Sequence, residues 1–195
     1  MEIGKEYLKV VKDRFREMKR IGERAMEQCS DEGLFHSFNE ESNSIAIIVK
    51  HLSGNMVSRW TDFFHTDGEK PDRNRDEEFI NRWKTREEIM ASWEKGWTVF
   101  FRALEEIKEE DLLKTVTIRN EPHTVLQAIE RQMYHYSYHI GQIVYAAKLL
   151  TGTDWQTLTI PRSSRRGRLT PVPSHHLACG SALGGSSTLT ELSAG

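Results

Sequence analysis

The chain has 195 residues, 37% of them hydrophobic and 29% charged, enough apolar material for one globular core, which excludes a wholly disordered segment or a small stapled scaffold. Lys and Arg number 27 against 29 Asp and Glu, a formal charge of −2, so no global basic field draws the chain to nucleic acid or a membrane surface. Cys29 and Cys179 are too far apart for a disulfide framework or a cysteine metal knuckle, and the aliphatic run 45–49 is far short of a membrane span; with a charged N-terminus, a cytoplasmic protein without a leader is expected.

Four long segments carry helical periodicity and none shows sustained period-two alternation, which predicts an all-α fold. The first helix is expected over about residues 2–28, with Ile3, Leu8, Val11, Phe15, Met18, Ile21 and Ala25 on one face and its end marked by Ser30-Asp31-Glu32-Gly33. A second helix is expected to begin near Asn39 or Glu40, with Asn39 as cap, and to run to about Phe64. Residues 65–84 contain Gly68 and Pro71 and break the pattern, so they read as a long connection.

Thr85-Arg86-Glu87-Glu88 is a capping-box signature opening a third helix through Ile89, Trp93, Trp97, Phe100, Leu104 and Ile107. Thr115-Val116-Thr117-Ile118 followed by Arg119-Asn120-Glu121-Pro122 suggests a small hairpin. The fourth helix is expected over about residues 124–150, ending at Thr151-Gly152. Short 1–2 and 3–4 joints with a long 2–3 connection predict a four-helix bundle with a crossover between helices 2 and 3. Residues 1–162 would form this domain. Residues 163–195 have no periodicity and are rich in Ser, Gly and Leu; with Arg165, Arg166 and Arg168 against Glu191 alone, they read as a low-complexity, disordered tail.

The chemistry-bearing constellation is His135 and His139 on the fourth helix, with His51 in the middle of the second. A four-residue spacing puts both imidazoles on one face a turn apart, where both reach one metal ion. Packed helices meet middle to middle, and His36, His65 and His123 fall at or beyond predicted helix ends, so His51 is the best-placed third ligand. A His-x-x-x-His pair alone is common on solvated helices; a third histidine at matching depth favours a metal with at least one open coordination position. No Glu-x-x-His motif is present, which argues against a di-iron centre. Imidazole suits zinc, nickel, copper and iron, with zinc or nickel placed first here.

Asn55, Gln132 and Gln142 lie near these histidines and are candidates to orient ligands or bind a cofactor, whereas no residue stands out as a catalytic base. Arg59, Arg73 and Arg75 could hold an anionic substrate, with surface ion pairs the preferred use, and Asp67-Gly68-Glu69 reads as a solvated turn. Tyr134, Tyr138 and Tyr145 lie off the aliphatic stripe of the fourth helix. A homodimer packed through this row is preferred over cover by the N-terminus or the crossover.

Asn43-Ser44-Ile45 leading into Lys50-His51-Leu52-Ser53-Gly54-Asn55-Met56, then Asp67-Gly68-Glu69-Lys70, and above all His135-Tyr136-Ser137-Tyr138-His139-Ile140-Gly141-Gln142-Ile143 resemble the DinB/YfiT-like superfamily, and within it the Bacillus-type branch. The resemblance implies a crossover four-helix bundle, a dimer, and a divalent metal held by His51, His135 and His139. It also implies an activity like that of relatives that are transferases using low-molecular-weight thiols, or metal-dependent hydrolases. The pattern is lost after Pro161, where Ser163-Ser164-Arg165-Arg166 opens the tail, as a frameshift or an appended extension would produce. Two functions are carried forward: an enzyme whose metal activates a thiol or water toward a small-molecule substrate, and a non-catalytic dimeric binding or structural protein with a structural metal. Nucleic acid and membrane partners are not expected.

Overall fold

The computed structural model describes residues 2–160, and they are mostly helical. Five helices are present among them: α1 (Glu2–Met26), α2 (Asp31–Phe35), α3 (Ile45–Trp60), α4 (Arg86–Glu106) and α5 (Val125–Thr151), with a two-stranded antiparallel hairpin of β1 (Thr115–Ile118) and β2 (Glu121–Thr124). Single 3-10 turns stand at Asp76–Phe79, Glu109–Asp111 and Gly152–Asp154. The predicted tail, with Cys179 and His175-His176, lies outside the described residues.

Three local departures from the sequence reading have identifiable causes. The short helix α2 arises because Ser30 does more than end α1: its hydroxyl accepts from the Gly33 N–H and caps a fresh turn. Helix α3 begins at Ile45 rather than near Asn39, because Ser44 is the residue that caps it, through the Ile47 N–H. Asn39 spends its side chain on Glu41 and Ser42 in an isolated turn. The same helix stops at Trp60, not Phe64: Thr61 turns to extended backbone with ψ 129°, and Asp62 follows in a left-handed one with φ 47°.

Elsewhere the local signals act as read. Thr85 and Glu88 form the reciprocal capping box of α4, and Thr124 with Gln127 forms another at α5. The hairpin turns at Arg119 and Asn120, both with positive φ (56° and 62°), as a two-residue turn matched to strand twist requires.

Helix α3 packs on α4 and α1 on α5, with further α3–α5 and α1–α4 contacts. Gly96 makes the first of these close: a Cβ there would stand 2.8 Å from the Ser53 Cα. The core between the helices is aromatic. Phe15, Trp93, Trp97, Phe100 and Tyr136 are at most 1% exposed, and Phe100 meets Phe15 edge-on at 4.5 Å and Trp60 at 4.8 Å.

The first half of the connection between α3 and α4 is fastened to both α3 and the hairpin. Ser58 on α3 donates through its hydroxyl to the Gly68 carbonyl and accepts from the Lys70 N–H. Asp67 accepts from the N–H groups of Glu69, Arg119 and Asn120, gripping the hairpin tip. Burial works against the charge on Asp67, but these backbone donors hold its carboxyl below the usual range. This segment is thus a clasp between crossover and hairpin, not the free solvated turn that Asp67-Gly68-Glu69 suggests in isolation.

Candidate metal centre

The α3–α5 packing brings His51, His135 and His139 together. His135 Nε2 lies 3.3 Å from His51 Nε2 and 3.1 Å from His139 Nε2, and one nitrogen from each ring falls within 4.8 Å of the others. His51 is 5% exposed, the other two partly buried.

What orients the rings lies on their far sides. His51 Nδ1–H donates to Glu78 Oε2 at 2.9 Å, and His139 Nδ1–H donates to Gln142 Oε1 at 2.7 Å. These bonds leave the Nε2 lone pairs of both rings pointing inward. Glu78 is itself held by a two-point pair with Arg73, Nε to Oε1 at 2.8 Å and Nη2 to Oε2 at 2.9 Å. Burial raises the Glu78 carboxyl, but the bonds from His51 and Arg73 outweigh it and hold the group below its ordinary value, so it is a carboxylate at neutral pH.

The 3-10 turn at Asp76–Phe79 delivers two of these contacts at once. It carries Glu78 to His51 Nδ1 and stacks Phe79 on the same ring, 5.2 Å between centroids. Gly54, one turn along α3 from His51, makes room for this, since a side chain there would run into the Glu78 carboxylate.

Electrostatics keep His135 and His139 deprotonated. Burial first, then the neighbouring His139 and His51 rings and the Arg59 and Arg73 guanidinium groups, which disfavour a further positive charge, push His135 down to about 3. Burial likewise takes His139 down to about 4, against the opposing bond to Gln142. Both are neutral imidazoles at pH 7, the form that ligates metal. Two nitrogens on one tetrahedral ion at about 2.0–2.1 Å stand roughly 3.3–3.4 Å apart, close to the 3.1 and 3.3 Å found here. The donor chemistry, the orientation and these two spacings fit a single metal ion.

Of the other residues singled out by sequence, Gln142 is the partner that orients His139. Asn55 is buried and accepts from the Tyr136 hydroxyl at 3.2 Å; that hydroxyl in turn accepts from Trp60 Nε1–H at 3.1 Å. Gln132 is 1% exposed and lines the cavity beside His51 and His135, which Asn55 also reaches. Arg59 and Arg73 are not surface ion-pair residues: Arg59 is 2% exposed, and the Arg73 side chain 5%. Helix α3 is buried nearly all round at its C-terminal end, so no polar face was left there to take Arg59 outward. Glu78 was missed by sequence reasoning, because it sits in an aperiodic loop whose only signal is an acid five residues after Arg73.

His36 and His65 are exposed and His123 is half-buried; none of them joins the cluster. Cys29 is buried and burial pushes its thiol up, so it is no activated nucleophile. No helix among the described residues is long and apolar enough to cross a membrane.

No curated protein and no solved structure is significantly similar to the chain. A family profile described as "Protein of unknown function (DUF1572)" matches residues 2–164. That span takes in the hairpin, the crossover and all three histidines, and the family lies within the DinB/YfiT-like superfamily. The chain is a member of the DUF1572 family.

Proposed function

We propose that this protein is a metal-dependent enzyme in which His51, His135 and His139 hold one divalent transition metal, zinc or nickel first, and a bound thiol or water is made nucleophilic at the remaining coordination position. The observation that supports it is the convergence of three Nε2 atoms whose opposite ring nitrogens, on His51 and His139, are fixed by Glu78 and Gln142. Such a metal lowers the pKa of a bound thiol or water towards neutrality. With a low-molecular-weight thiol the reaction is transfer to an electrophile; with water it is hydrolysis. The chain's own residues orient the ligands, keep His135 and His139 neutral, and open the site on one side to a cavity of about 340 Å³. That opening supports catalysis over a structural ion, whose site is normally closed.

In this reading the four long helices form the crossover bundle of the Bacillus-type DinB-like proteins. The protein acts in the cytoplasm on a small molecule, as a homodimer through α5, where Tyr134, Tyr138 and Tyr145 are 79%, 55% and 67% exposed. Light scattering on the purified protein tests the dimer.

The deciding experiment is metal content per chain, on protein purified without a metal-affinity step, for wild type, His51→Ala and His135→Ala. About one transition metal per wild-type chain, lost in both variants, is expected. A folded wild type that carries and takes up none defeats the proposal. Unfolding on chelation, with no exchangeable position, would favour the structural-metal alternative.

A further inference from the structure

The cavity beside the histidines is lined by arginines from four elements: Arg59 on α3, Arg73 and Arg75 in the crossover, Arg119 at the hairpin turn and Arg131 on α5. No Asp or Glu lines it. The acids behind this wall are few and already engaged. Glu78 is bound to Arg73 and His51. Glu69 is shared between Arg73, at 3.1 and 3.3 Å, and Arg119, at 3.2 Å.

Arg59 receives almost nothing from them. Its closest carboxylate oxygen, Glu69 Oε2, is 3.6 Å away, beyond hydrogen-bond distance, and its Nε and Nη1 have no hydrogen-bond partner among the described residues. Gln132 Oε1, on the same cavity wall, has none either. Arg75 and Arg131 form no ion pair among the described residues; Arg75 lies over the Phe79 ring instead. A guanidinium that is always charged, buried, and held by one long ion pair with two of its nitrogens unbonded is costly.

We propose that this cavity is the seat of an oxyanion, and that the substrate or thiol used at the metal carries a carboxylate or phosphate group gripped by Arg59, with Arg131 closing on it from α5. The planar fork of a guanidinium matches both groups. His51 and His135 line the same cavity, so an anion on Arg59 places the rest of a small molecule against the metal ligands. The cavity suits a compact metabolite, not a polymer. Where the reactive end lies rests on the metal reading; the anion seat itself does not.

The test is calorimetric titration of inorganic phosphate, and separately of malonate, into the full chain at constant ionic strength, metal-loaded and after chelation. One anion per chain is expected in both metal states, with Arg59→Met weakening the binding by at least about tenfold and Arg131→Gln by about threefold. Tighter phosphate marks a phosphorylated substrate, tighter malonate a carboxylate. Circular dichroism checks folding; if Arg59→Met does not fold, the exposed Arg131→Gln decides. Binding unchanged by the substitutions means an adventitious ion only and overturns the proposal, as does the absence of binding by folded protein. Metal without an Arg59-dependent anion removes this proposal and leaves the metal site standing. An Arg59-dependent anion in a chain that takes no metal does the reverse.

Discussion

The two sides of α3 solve opposite problems. Toward α4, Trp60 and Met56 join an aromatic core with Phe15, Trp93, Trp97 and Phe100 that Tyr136 of α5 completes, and most polar atoms there are paired: Trp60 Nε1–H with Tyr136, Trp93 Nε1–H with Glu23. Only the Trp97 indole among these lacks a partner. Toward α5 and the crossover, the same helix buries His51, Asn55 and Arg59, and the loop adds Glu78 and Arg73. The first side stabilises by area removed from water. The second spends stability on groups whose desolvation is only partly repaid, and a fold keeps such an arrangement where those groups have work to do.

The contrast is broken most forcefully in the core. Phe100→Ala should cost about 3–5 kcal/mol, by the methylene and contact loss of a fully buried ring, while the folded fraction keeps its metal affinity. Urea unfolding read beside metal titration separates the two. On the other side the balance inverts. His135→Ala should abolish stoichiometric metal binding, yet leave the metal-free protein within about 1 kcal/mol of wild type, because it removes a crowded, desolvated imidazole. Destabilisation matching that of Phe100→Ala would show that the histidines are core residues.

Smaller changes sharpen the same line. Glu78→Gln should weaken metal affinity by about 10–100-fold, the usual effect of losing a ligand's carboxylate partner. Gly54→Ala should move affinity the same way by displacing that carboxylate. A competition assay with a chelating dye reads both.

The last effect is in pH. His135 and His139 have folded values near 3 and 4 against an ordinary 6.5. Above pH 6.5 both states carry neutral rings and the stability is fully present. As pH falls below it, the unfolded chain takes up protons that the folded one refuses, and stability declines until about pH 4 and then 3. His135→Gln should lessen the slope from pH 6.5 to about 4 and remove the remaining decline down to about 3 in metal-free protein, as followed by thermal unfolding across the window.

How much was legible follows from which forces act locally. The capping boxes at Thr85 and Thr124, the hairpin at Arg119-Asn120 and the long helical stretches are short-range matters, and the sequence carries them. The convergence of His51 with His135 and His139 was also readable, because depth along a helix is countable. Glu78 was not, since no period places a loop residue. Arg59 was misjudged for a related reason: a charged residue in a helix defaults to solvent, and only the docked crossover shows that this position has none. The same limit hid the break at Thr61 and Asp62, where an extended residue and a left-handed one outweighed an apolar run that would have carried the helix on to Phe64.

The grip of Asp67 on the hairpin tip also has a temporal side. The hairpin closes over a few residues, whereas the contact from Asp67 to Asn120 spans 53 and that from His51 to His135 spans 84. Loops of that length close late. The crossover therefore has its anchor ready before it arrives, and the Glu78 bond to His51, which spans only 27 residues, is open to form before the strap is fastened. The same order in reverse makes residues 61–84 a unit that can detach while α4 and α1 stay packed. Amide exchange at Glu69, Arg119 and Asn120 should then proceed together, faster than in α4, and Asp67→Asn should speed all three.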